Sequence, residues 1–399
     1  MRAAKALAVR RPFRVPPQVR GFLRLTAAER ALSWPDEAAP VELVDGDEEP
    51  LGSPIEVFRS IIEPHVLSGP CYVLFSGGRD SSAVLAVATA IAREAGVANP
   101  IPVTGVHPTV PDADEDAWQE LVLEHLAITD RVVFEFRGEQ SLLAPAAQDS
   151  LRANGLLWPP AIHVQAPFVQ GLDGGSLLSG EGGDGVITAR RLTALIYALR
   201  ARRHRASLRE LGRLMASRRE LAESRRSFLA ISPWLTAEGR RLAEDAMART
   251  RSEPVRSDAG LLTSAFSRPA QMARTNFLQF FRGLGFDAED PLDHPRFVGA
   301  VARAGGWLGI GSRTDMMRYL FRDYLPDQVL SRQSKAAFNA ARWTPREVAF
   351  ARSWSGLGVD RRFIDPDRLR DSWLTESSVL SDLQLHAAWL ADNGLPLEP

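Results

Sequence analysis

The sequence predicts an α/β fold, a parallel sheet with helices on both faces followed by a mostly helical C-terminal part. Three observations carry this. Short apolar runs at 71–75, 102–106, 131–136 and 176–178 alternate with helix-patterned stretches. Two of those runs end in glycine-rich turns, at 76–82 and 179–185. After Val186 the pattern turns almost wholly helical. Strands joined through helices pair in parallel and are covered on both faces.

The elements follow in order. Residues 1–50 read as an N-terminal extension, partly disordered. The first 28 residues carry seven basic and no acidic side chains, and an acidic, proline-interrupted stretch follows Arg30. Such a segment is too short to bury a core of its own. A short strand is expected at 21–25. Residues 55–65 read as a helix and 71–75 as the first strand. Residues 80–95 read as a helix with Ala83, Val84, Val87, Ala88 and Ile91 on one face. A second strand at 102–106, a helix at 114–126 opened by acidic residues, and a third strand at 131–136 follow. The short run 176–178 is again a strand. Both glycine-rich turns then fall at the carboxyl edge of the sheet, where ligands bind in such folds.

Composition narrows the function. Basic and acidic residues number 48 and 49, so the molecule as a whole is not a polycation. Lys5 and Lys335 are the only lysines, so 46 of the 48 basic residues are arginine. A lysine at 335 in such a chain asks for a chemical reason. The single cysteine, Cys71, excludes an intrachain disulfide and a cysteine-rich zinc site. It lies in an apolar run and reads as a buried residue. No apolar stretch reaches the roughly 18–20 residues of a membrane span, and no secretory signal is evident. The expectation is a soluble, cytoplasmic protein with no membrane partner.

The chemistry sits in the two turns. Ser76-Gly77-Gly78-Arg79-Asp80-Ser81-Ser82 follows a strand and opens a helix. Glycines let backbone N–H groups approach a ligand, the helix start favours anions, and the serines add hydroxyl donors. This suits a pyrophosphate. Asp80 inside an anion site requires a bridging cation, for which Mg²⁺ is suited. No Gly-Lys-Ser/Thr follows, so it is not the Walker pattern. Ser179-Gly180-Glu181-Gly182-Gly183-Asp184-Gly185 offers a second carboxylate on the same edge. Two carboxylates from separate loops can hold Mg²⁺ on a triphosphate. Glu181 is a candidate base or orienting group. His107 with Asp112, Asp114 and Glu115 reads as a strand end and capped helix rather than a metal cluster. Trp158-Pro159-Pro160 and His163 form either a rigid connection or part of a substrate pocket.

These strings resemble the synthetase domain of the asparagine synthetase family, a branch of the ATP pyrophosphatases. The first matches its Ser-Gly-Gly-x-Asp-Ser loop and the second its Ser-Gly-Glu-Gly-x-Asp string. Asp290-Pro291-Leu292-Asp293 is similar to its Pro-Phe-Leu-Asp segment. Tyr324-Leu325-Pro326 through Arg332-Gln333-Ser334-Lys335-Ala336-Ala337-Phe338 is similar to its Leu-Pro…Arg…Lys-x-x-Phe segment. The likeness spans roughly residues 54–350, within one ligase domain over 51–399. It implies an adenine nucleotide alpha hydrolase-like (PP-loop) fold with ATP and Mg²⁺ as cofactors. It implies Asp80 and Asp184 as metal ligands, and Ser76, Gly77, Gly78, Asp80, Ser81 and Ser82 as the pyrophosphate cradle. Ser179 and Gly180 would join the ATP site, and the backbone of the strand ending at Val106 would hold adenine. Lys335 would reach the phosphates and the tetrahedral intermediate, with Glu181 beside the acyl-adenylate.

Two departures bear on substrate. Family members with a glutaminase domain begin it with a catalytic cysteine, whereas here residue 2 is Arg2. The expectation is a synthetase domain alone. Gly185 stands where the family usually has Glu, and Val186-Ile187-Thr188-Ala189 replaces an aromatic–Gly-Gly–aromatic string. The sequence thus points to an AMP-forming amide ligase acting on a small-molecule or peptide carboxylate. Macrolactam formation, as in lasso-peptide cyclases, is favoured over ammonia-dependent asparagine synthesis. A tRNA-modifying ATPase is the remaining alternative, and the near-neutral charge and lack of aromatic interleaving speak against nucleic acid. The stretch 190–228 holds 12 Arg against three acids. It is either a solvated helical face or a landing surface for an acidic peptide or protein.

Overall fold

Short apolar runs are too short for helices and too apolar for surface loops, and they form four of the five strands. The computed structural model describes residues 21–37, 52–200, 217–249, 253–334, 339–375 and 379–399. Strands β1 (Cys71–Leu74), β2 (Ile101–Val106), β3 (Val132–Glu135), β4 (Gly175–Leu178) and β5 (Phe286–Glu289) make one sheet in the order β3-β2-β1-β4-β5. Every pairing is parallel. After β3 the chain crosses β1 and continues on its other side. The sheet's direction of growth therefore reverses between β1 and β4, which makes a crevice at their carboxyl ends.

Period-two alternation explains the layers. Cys71 and Val73 of β1 face a core shared with helices Pro54–Leu67, Arg79–Ala95, Pro295–Gly305 and Arg313–Phe321. Tyr72 points to the opposite face, where Phe277, Phe280 and Phe281 of helix Arg268–Gly283 pack against it. Helix Arg79–Ala95 is alanine-rich and ends at Gly96 in the left-handed conformation, φ +68°, which releases the chain toward β2. A further core beside the sheet is built around Trp158, Trp234, Trp354, Trp373 and Trp389. It unites the C-terminal helices with the 142–164 connection. His163, fully buried there, hydrogen-bonds Ser150 at 2.7 Å and stacks edge-on against His386. The Trp158–His163 segment is thus anchored in this core at both ends.

Two elements differ from the sequence expectation. Residues 21–25 form no strand. Their extended backbone is met instead by the Asn276 side chain, which accepts from Leu23 N–H at 2.7 Å and donates to the Leu23 carbonyl at 3.1 Å. A side-chain amide offers the pairing of one strand residue and no ladder. The extended piece leads into helix Ala27–Leu32, whose Glu29 is buried against Arg268. The sequence reading also had no fifth strand. Asp287 and Glu289 give Phe286–Glu289 a poor strand signal, but Glu289 is buried and paired with Arg274. Residues 1–20 and 38–51, most of the expected extension, lie outside the described residues. Among the described residues, no helix is long and apolar enough to cross a membrane.

Candidate functional site

The first turn leaves β1 and enters helix Arg79–Ala95. Gly77 takes φ +80°, and an added Cβ there would come within 2.9 Å of Gln119. The loop braces itself. Ser76 N–H donates to Ser81 Oγ at 3.2 Å, Gly78 N–H to Ser76 Oγ at 3.3 Å, and the two hydroxyls lie 3.1 Å apart. Ser82 is fully buried, and its hydroxyl has no partner among the described residues. Among the described residues no side chain caps the helix start, so its first amides remain available to an anion.

The second turn leaves β4 beside the first. Its glycines are needed for close approach. A Cβ on Gly180 would fall 2.5 Å from Ser81 N, and one on Gly183 would fall 2.5 Å from the Asp80 carboxyl carbon. The two loops therefore meet backbone to backbone, as the sequence reading of a shared edge expects. Ser179 is buried. Its hydroxyl donates to Asp290 and accepts from Glu181 N–H, so it shapes the loop. Glu181 and Asp184 are exposed on the turn. Val106 ends β2 at the same edge, and its carbonyl accepts from Phe136 N–H at 2.9 Å.

Asp80 and Asp184 converge on one guanidinium. Arg313 donates through Nη2 to Asp80 at 2.6 Å and through Nη1 to Asp184. Asp80 Oδ1 is buried with no partner among the described residues. Burial pushes the Asp80 carboxyl above its ordinary range. Arg313 opposes that shift and the charge of Asp184 adds to it. Two carboxylates gathered around a cation, one with an unsatisfied oxygen, form a donor set that fits Mg²⁺ on a phosphate chain. Among the described residues no cluster of three or more acids, histidines or cysteines could hold a metal alone. Such a site would draw its remaining oxygens from phosphate and water.

Two more contacts frame the pair. Arg332 forms a buried two-pronged ion pair with Glu115, donates to the Gly77 carbonyl at 3.0 Å and lies 4.5 Å over the Trp118 ring. Glu115, one of the acids near His107, is thus a loop support. Lys335 itself lies outside the described residues. On the other side, Arg274 pairs with both Asp293 and Glu289. Burial raises Asp293 to about 7 against the pull of Arg274. Burial, and then the charge of Asp293, raises Asp290 well above the carboxylate range. Gly182, at φ +78°, leaves room for Asp293, since a Cβ there would lie 2.4 Å from it.

Sequence reasoning brought Ser76–Ser82, Ser179, Gly180, Glu181 and Asp184 to one place, and the structure unites them. It missed Arg313 and Arg274. Arg313 lies between the helix-capping residues Ser312 and Asp315, a signal for a helix start and not for chemistry. Arg274 sits mid-helix with no local motif.

A search of curated proteins finds no match to this chain. The family comparison is positive: residues 66–282, more than half of the chain, match the model for asparagine synthase. The match covers both turns and ends before β5, so Asp293 and Arg313 lie beyond it. With two glycine-rich loops apposed at the switch point of a parallel sheet, the chain belongs to the asparagine synthase family of ATP-dependent, amide-bond-forming carbon–nitrogen ligases.

Proposed function

We propose that the protein adenylates a carboxylate with ATP and transfers the acyl group to an amine. The supporting observation is the convergence of Asp80 and Asp184, from two loops, on one cationic position beside a serine-lined helix start. A substrate carboxylate oxygen attacks the α-phosphorus. The bond to the β-phosphate oxygen breaks and pyrophosphate remains in the 76–82 cradle. Asp80 and Asp184 would hold Mg²⁺, which would supply charge neutralisation on the phosphates. Lys335 is assigned the charge on the tetrahedral intermediate. The amine then attacks the acyl carbon, AMP leaves and a proton is lost, with Glu181 placed as the orienting group.

The acyl substrate we infer is larger than aspartate, in the manner of a peptide macrolactam precursor. A Cβ on Gly185 would meet nothing within 4 Å among the described residues, so there is open space among them where the family usually carries a carboxylate. A sulfur-carrying tRNA enzyme is disfavoured, because the single cysteine is buried and its thiol is pushed up to about 12 by burial. The acidic-partner surface at 190–228 remains a proposal. Its residues 201–216 lie outside the described residues, and Arg190 is buried against Gly185 and Glu253.

The test is a carboxylate-dependent pyrophosphate-exchange screen that includes aspartate, short peptides and tRNA. AMP and pyrophosphate are the expected products, and Lys335→Ala is expected to abolish amide formation in a folded protein. ADP as product, or full activity in that variant, would sink the mechanism. Stimulation by tRNA, or by aspartate with ammonia, would reassign the substrate.

A further inference from the structure

We propose that Arg313 is an internal counter-ion for the metal site. In the nucleotide-free protein it bridges Asp80 and Asp184. When the metal–nucleotide arrives, it exchanges those carboxylates for phosphate oxygens, alongside Arg79. The inference rests on the ligase reading above and adds to it two phosphate-binding residues and an exchange.

Three observations carry it. First, the bridge spans two loops. One nitrogen of Arg313 meets Asp80 of the first turn and another meets Asp184 of the second. Without a cation, the two carboxylates would repel across loops pressed together at Gly180 and Gly183. Second, the neighbouring donors are incompletely used. Arg313 Nε and Arg79 Nη1 are both buried with no acceptor among the described residues. Buried guanidinium nitrogens without acceptors are costly unless a ligand completes them. Third, Arg79 opens the 17-residue helix whose uncapped amides face the same crevice. It is the chain neighbour of Asp80, the carboxylate that Arg313 bonds. Two adjacent guanidiniums with spare donors call for a polyanion, and planar nitrogen forks match phosphate oxygens.

The exchange follows from charge. Mg²⁺ takes over the two carboxylates, which frees Arg313 to turn its donors toward the phosphates. Arg313 therefore competes with the metal when nucleotide is absent and cooperates with it when phosphate is present. A residue that merely supported the fold would weaken both events.

The experiment measures these separately on the full chain, without turnover. Mn²⁺ binding to the nucleotide-free protein is followed by electron paramagnetic resonance. Pyrophosphate binding in the presence of Mg²⁺ is followed by calorimetry. Arg313→Gln should bind Mn²⁺ several-fold more tightly than wild type and pyrophosphate about tenfold more weakly, the scale of one charge-assisted hydrogen bond. Arg79→Leu should weaken pyrophosphate only, and Arg313→Lys should restore part of the competition with Mn²⁺. Unchanged or weaker Mn²⁺ binding in Arg313→Gln overturns the proposal, as does unchanged pyrophosphate binding. Equal loss of both, with a lowered melting temperature, assigns Arg313 to the fold and also overturns it. Opposite-signed effects in a protein that fails pyrophosphate exchange would sink the ligase reading and leave this inference standing.

Discussion

Asp80 and Glu29 are both carboxylates held by arginine, yet the two regions treat them oppositely. Glu29 accepts from Arg268 through two nitrogens and from the backbone N–H groups of Thr26 and Asp36, so both oxygens are engaged. Burial alone would raise its carboxyl. The Arg268 and backbone bonds outweigh that and hold it at about 2, below an ordinary value of 4.5. Asp80 has one oxygen on Arg313 and one buried without a partner among the described residues, and its carboxyl is raised. The scaffold satisfies its buried charge, whereas the sheet edge leaves charge unsatisfied where a ligand would complete it. Polar atoms left open in this way cost stability and mark function.

The comparison can be broken by substitution. Asp80→Asn should reduce pyrophosphate exchange by about 10²–10³, the scale for losing one electrostatic group at the reacting centre. Its melting temperature should hold or rise, since a strained buried charge is removed. A large drop in stability would place Asp80 with the scaffold acids. Gly183→Ala should cost about 10² in exchange rate, because its Cβ would collide with Asp80, and thermal melting should show the fold intact.

Glu115→Gln tests a satisfied ion pair that braces the site itself. It leaves Arg332 buried without its carboxylate, which should cost about 3 kcal/mol in denaturant unfolding. Arg332 also holds the Gly77 carbonyl, so KM for ATP should rise as well. A stability loss with unchanged KM would separate the pair from the site. The smallest effect is expected at Glu29. Its folded pKa is depressed, so its stabilisation is fully present above about 4.5 and is lost as pH falls through about 2. Glu29→Gln should lower the melting temperature at neutral pH, flatten that acid-side loss and leave pyrophosphate exchange unchanged.

Much of this was legible locally. A strand running into Ser-Gly-Gly and a helix carries its own geometry in glycine freedom and helix-start polarity. The second loop, with its Glu and Asp, was equally plain. The strand expected at 21–25 failed because its partner is a side chain 253 positions away, Asn276. β5 was hidden because Glu289 looks like a surface residue until Arg274 is beside it. The departures at Gly185 were visible as residues, but only the structure shows that the position faces open space.

The sequence by itself determined four of the strand runs, the two glycine-rich loops and the two carboxylates, because each depends on neighbours within a few residues. Tertiary structure alone decided what lies between those carboxylates. Arg313 is 129 residues from Asp184 and 233 from Asp80. No local pattern distinguishes it from the other arginines. Its role arises from the helix start that carries it to the crevice between β1 and β4, where two negative charges require a cation.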